Sequence, residues 1–154
     1  MLTEPSSAFP EPTDDPKAVS QYMLDRTGHA LMTGDLALYL SCFILPHRVQ
    51  TFEGAIHITD TATLTRIFND VRQTYASAGV TALERRCSHA RFAGPHRVDA
   101  HYESRALRGT QLIYRPFPAL TAIHFDVGGW RVGDCQYAIA EAPRLVQALL
   151  GRRP

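Results

Sequence analysis

Long hydrophobic runs, an excess of charge of either sign and a paired cysteine set are all missing from this chain, and each absence removes a class of function. No segment has the apolar length that a membrane helix needs, and the start has no charged stretch followed by an apolar one, so no membrane partner and a cytoplasmic location are expected. The formal net charge of +1 arises from 16 basic and 15 acidic residues scattered along the chain. The pairs Arg85-Arg86 and Arg152-Arg153 do not extend into a basic stripe, so no nucleic-acid partner is expected. Lys17 is the only lysine, a bias that points to a GC-rich coding genome. Cys42, Cys87 and Cys135 are odd in number and sit in apolar stretches without metal-type spacing, which argues against a disulfide framework and for buried free thiols. There is no glycine-rich phosphate loop, no Ser-His-Asp order and no clustered ligand set, so neither a cofactor nor a metal is expected.

What is present is a definite order of periodicities. Residues 1–14, with Pro5, Pro10 and Pro12 among Ser, Thr and Glu, read as a flexible tail, and residues 15–150 as a single domain. Asp15 and Pro16 start a helix carrying Val19, Met23, Thr27, Ala30 and Leu31 at helical spacing, and Gly34-Asp35 ends it and caps a second. That second helix is expected to run until Pro46. Two short strands joined near Glu53-Gly54 follow. From Asp60 the period returns to 3.6, with Leu64, Ile67, Phe68, Val71, Tyr75 and Ala78 forming one apolar stripe that Gly79 closes. Alternating strand patterns then fill residues 81–92, 97–107, 119–127 and 130–139, and residues 142–150 suit a short last helix. The apolar stretch around Tyr114 and Phe117 reads as a covering loop.

These elements bury their apolar faces together only in an α+β fold: three N-terminal helices packed in the concave face of a curved, mostly antiparallel sheet of about six strands, shaped as a cone. With that order in place, the chain resembles the nuclear transport factor 2-like, or SnoaL-like, superfamily. The likeness is carried by Met32 to Leu36 (Met-Thr-Gly-Asp-Leu), by the stretch from Gly54 to Phe68 and by the stretch from His124 to Val132. It implies a homodimer formed through the sheet and a small molecule held in the cone. The ketosteroid isomerases of that superfamily place a tyrosine on the first helix, an aspartate base on the first strand and an acid on a later strand. The corresponding positions here fall at Thr27, Thr51 and Thr121, and a threonine hydroxyl is no general base without an activating partner. The resemblance therefore implies the container without that mechanism.

Strand alternation sorts the polar residues. Val98, Ala100, Tyr102 and Ser104 fall on one face of their strand, and Asp99, His101, Glu103 and Arg105 on the other; Thr121, Ile123, Phe125 and Val127 likewise oppose Ala122, His124 and Asp126. His101, Glu103, His124 and Asp126 have the donor types of a divalent-metal site, but alternation alone produces such polar outer faces, and a solvated or partner-paired face is expected. The candidates for the cone lining are Thr27, His47, Thr51, His89, Tyr102, Ser104 and Tyr137, with the facing of His89 left open because residues 83–91 mix apolar and charged side chains on both faces. Buried Tyr or His satisfied by the backbone would leave the same trace. Two functions follow. One is a conical pocket for a small, mostly apolar molecule, with cofactor-free acid/base catalysis of isomerase, cyclase or dehydratase type as an extension. The other is a non-enzymatic dimeric interaction module with a filled cone. Cavity volume separates them.

Overall fold

Aspartates set the helix starts. In the computed structural model, which describes residues 14–152, the Asp15 carboxylate accepts from the amides of Lys17 and Ala18 and Pro16 occupies the first turn of α1 (Pro16–Thr33). Gly34, at φ 80°, closes α1, and Asp35 opens α2 (Leu36–Ser41) by accepting from the Leu38 amide. Apart from Asp14, the tail expected at residues 1–14 lies outside the described residues. The chain continues through β1 (Phe43–Thr51), β2 (Gly54–Ile58), α3 (Thr61–Ala78), β3 (Ala82–Phe92), β4 (Arg97–Arg108), the short β5 (Gln111–Leu112), β6 (Phe117–Asp126), β7 (Gly129–Tyr137) and α4 (Pro143–Leu149).

The strands form one curved, open sheet in the order β2-β1-β7-β6-β4-β3, with β5 added to β4. All pairings are antiparallel except β1 with β7, which is parallel. The α+β cone expected from the sequence is the fold observed, with the helices in the concave face. Leu64, Ile67, Phe68 and Val71 of α3 are all buried there, each stabilising the fold by roughly 1.5–3 kcal/mol through apolar burial.

Two departures from the sequence reading have a local cause. The second helix ends at Ser41, and Pro46 lies inside β1. Its missing N–H breaks no ladder bond: the register against β7 shifts between Phe43 and Arg48, and pairing with β2 begins only at His47. Phe125, assigned to the inner face, is 39% exposed and packs instead on Trp130, with ring centroids 5.0 Å apart. Phe125 lies next to the end of β6, paired across the β6–β7 hairpin with Trp130, where the sheet runs past its buried stretch.

Candidate functional site

The inner face of β4 alternates without interruption, so Val98, Ala100, Tyr102, Ser104 and Ala106 all point into the cone. Of these, Tyr102 and Ser104 border, with residues of α1, α3 and β7, a cavity of about 60 Å³. Met23, Leu31, Val71, Ile123 and Val132 give it apolar walls, and Tyr39, Tyr75, Tyr102, Tyr137 and Arg85 bring polar groups to it. Tyr137, at the end of β7, packs edge-on against Phe117 with ring centroids 6.2 Å apart. Tyr75 carries Tyr114 of the covering loop, with centroids 6.4 Å apart.

Burial pushes Tyr75 up to about 12 and lifts Tyr39, Tyr102 and Tyr137 further above the ordinary phenol range. The positive charge of Arg85 opposes that shift at Tyr39, Tyr75 and Tyr102 without overcoming it. The Cys135 thiol is likewise raised by burial. At neutral pH the cavity thus holds protonated phenols and a thiol, which act as hydrogen-bond donors. No Asp, Glu or His lines it among the described residues.

Of the seven residues expected at the lining, Thr27, Tyr102, Ser104 and Tyr137 border the cavity, and His47, Thr51 and His89 do not. Thr27 donates to the Met23 carbonyl at 2.9 Å and accepts from Arg85 at 2.6 Å, so its hydroxyl orients the guanidinium. His47 is only 2% exposed, but it sits in the apolar core, edge-on to Phe43, with no partner for Nδ1. Burial lowers its pKa to about 4, despite the opposing charge of Asp134 and a backbone hydrogen bond at Gly133. The Thr51 hydroxyl accepts from the Glu53 amide at 3.0 Å and shapes the β1–β2 turn.

His89 is turned outward by a bulge. Cys87 pairs with the inward Tyr102, but His89 pairs with the outward His101, so Ser88 is an extra residue and the alternation reverses there. His89 and His101 lie edge to face at 6.2 Å on the outer sheet surface. Glu103 there pairs with Arg105, and Asp126 with Arg131. Among the described residues, no group of three or more His, Cys, Asp or Glu is placed to hold a metal ion.

Arg85 was not among the sequence candidates, although a signal for it existed. Gly28 stands in the middle of α1, where glycine costs helix stability, and such a residue marks a close approach. A Cβ at Gly28 would stand 3.1 Å from Arg85 Nη2. Gln21 completes the docking of β3 on α1: its amide donates to the Arg85 carbonyl at 2.9 Å and accepts from the Cys87 amide at 3.0 Å. The helix thus supplies the free edge strand with hydrogen-bond partners.

No protein-family model matches the chain, and no curated protein matches it. Solved structures do. A domain of unknown function with a cystatin-like fold from Nostoc punctiforme is 16% identical, with a TM-score of 0.65 over 84% of this chain and 80% of that one. An NTF2-like protein with a cystatin-like fold from Novosphingobium aromaticivorans is 13% identical, with a TM-score of 0.60 over 81% and 84%. A putative calcium/calmodulin-dependent protein kinase type II association domain from Thiobacillus denitrificans is 13% identical, with a TM-score of 0.62 over 88% and 100%. At such identities the likeness shows the fold alone: this chain has the nuclear transport factor 2-like, cystatin-like fold.

Proposed function

We propose that the protein binds a compact small molecule in its cone, apolar over most of its surface and carrying a hydrogen-bond acceptor. One observation carries this reading: protonated phenols, serine and threonine hydroxyls and a guanidinium converge on a single void between apolar walls. A cone closed simply by its own side chains has no use for so many donors at its centre, where each polar group without a partner costs about 1–3 kcal/mol. Binding suits this lining better than proton abstraction, because the neutral phenols are poor bases and neither carboxylate nor imidazole borders the void among the described residues. The volume of about 60 Å³ restricts the ligand to a few heavy atoms, unless the covering loop at Tyr114 yields.

The test is a fragment screen by thermal shift, followed by amide-resolved NMR titration. A true ligand raises the melting temperature by mass action and perturbs residues of α1 and β4 around the void. A broad fragment library with no saturable binder would overturn the reading.

A second reading, assembly through the outer sheet face, draws on a separate observation. That face carries a groove of about 540 Å³ bordered by His89, Arg97, Asp99 and Gln136, and a neighbouring one of about 310 Å³, with Leu120, 40% exposed, bordering both. We infer that two copies pair there as a homodimer. The Thiobacillus neighbour, whose name describes an association domain, is in keeping with that. Light scattering at micromolar concentration should give twice the monomer mass, and a monomer would contradict it.

A further inference from the structure

An uncharged ligand leaves one feature of the cavity unaccounted for: the Arg85 guanidinium. Its Nη2 donates at 2.6 Å to both the Leu24 carbonyl and the Thr27 hydroxyl, which fixes the group against α1 in the space that Gly28 leaves. Nε and Nη1 have no hydrogen-bond partner among the described residues, and no carboxylate there lies within ion-pair distance. A half-buried cation without a counter-ion is a standing electrostatic cost. Ser104, directly opposite Arg85 in the β3–β4 register, brings a hydroxyl with no partner among the described residues to the same void. Ser20, fully buried on α1 and also bordering the void, has an Oγ without a partner among the described residues. Two orphan hydroxyls and the free edge of a guanidinium therefore surround one small space, and no acidic side chain borders it among the described residues.

We propose that this space receives the carboxylate of a small monocarboxylic acid, bound by Arg85 with Ser104 and Ser20 as flanking donors. The inference rests on the small-molecule reading above and adds the charge and shape of the ligand. A planar carboxylate matches the edge of a guanidinium, whereas a tetrahedral dianion demands more donors and more room than the void offers. Apolar walls at Met23, Leu31 and Ile123 suit a short aliphatic remainder. Because the neighbouring phenols are neutral, the ligand's charge is the one that neutralises Arg85.

The experiment compares sodium acetate with acetamide, its neutral isostere, by amide-resolved NMR titration at ionic strength held constant with sodium chloride. Acetate should bind saturably, shifting the amides of residues 20, 85 and 104, and acetamide should bind at least about tenfold more weakly, the usual gain from a charged hydrogen bond. Arg85→Gln should lose that tenfold, and Ser104→Ala about threefold to tenfold. If Arg85→Gln fails to fold, the acetate–acetamide ratio and Ser104→Ala decide. Equal binding of acetamide, unchanged acetate binding in the folded Arg85→Gln variant, or the same shifts with chloride alone would overturn the carboxylate assignment while leaving a small-molecule cavity standing. Failure of both probes, with neutral fragments still binding, would overturn the assignment alone. Failure of every fragment would remove the cavity reading as well.

Discussion

His47 makes this fold sensitive to acid in a way that can be calculated. Its imidazole is buried among apolar groups, its Nδ1 has no partner, and its pKa in the folded chain is about 4 against an ordinary 6.5. Above about pH 6.5 the ring is neutral in both folded and unfolded chains and contributes no pH dependence. As the pH falls below that value the unfolded chain takes up a proton that the folded chain refuses, so stability drops through the window between 6.5 and 4. A difference of about 2.5 pK units corresponds to about 3 kcal/mol, a large share of the ~5–15 kcal/mol that holds an ordinary domain together.

Urea unfolding of the native chain and of His47→Leu, each at about pH 7.5 and about pH 4.5, isolates this contribution, because the other histidines and the carboxylates titrate alike in both proteins. The stability gap should move by about 2–3 kcal/mol in favour of the variant on acidification. Imidazole NMR should show one histidine that stays neutral until pH approaches 4. Parallel stability curves for the two proteins, or titration of His47 near 6.5, would refute the reasoning.

Other perturbations test the junction of α1 with β3. Gln21→Ala removes both partners that the helix lends to the edge strand and should destabilise by about 1–3 kcal/mol in urea unfolding; no change would mean that water replaces them freely. Gly28→Ala should give none of the ~1 kcal/mol that alanine ordinarily adds inside a helix, because the new Cβ meets the tethered Arg85 Nη2, whereas in an Arg85→Gln background the gain should return. Additive effects of the two substitutions would contradict the steric account. Phe68→Ala, in the tightly packed stripe of α3 beside Tyr39, should cost about 3–5 kcal/mol, measured the same way. Alkaline titration followed by phenol absorbance should leave Tyr39, Tyr102 and Tyr137 silent until the chain unfolds; their ionisation near pH 10 in the folded state would show that the cone is wet.

The architecture was legible because its signals repeat. Asp15, Asp35 and Asp60 each cap a helix, Gly34 and Gly79 each end one in the left-handed conformation, and the α3 stripe and the β4 alternation leave little choice of face. The site was legible only where a strand stays regular. Tyr102 and Ser104 could be placed inside the cone by counting residues along β4, and Tyr137 by counting along the regular stretch of β7 that follows Gly133. His47 shows a different limit. Its strand position does bury it, but whether a buried side chain meets a void or solid core depends on which layer of the cone lies above it, and no local pattern encodes that.

The bulge of β3 explains why His89 lies outside the cone, and it sets the two charged faces of that strand apart. Before Ser88, β3 places Arg85 and Cys87 inward, opposite Ser104 and Tyr102; after it, the strand reverses and carries His89 and Arg91 out to the sheet surface. One extra residue thus separates an inner cationic group from an outer polar face on a single strand. Straightening the bulge with Ser88 kept in the strand would restore alternation and turn His89 towards the cone, but only by shifting the register of the whole distal half of β3 against β4. That segment ends at Phe92, whose ring lies 6.4 Å from Trp130 in the distal aromatic cluster. The cluster fixes the far end and the Gln21 clip fixes the near end, so the surplus residue has to be absorbed between them. On this account the outward position of His89 follows from the length of chain held between two anchors, while Arg85, before the bulge, stays inward, its charge tolerated because Leu24, Thr27 and the void receive the guanidinium.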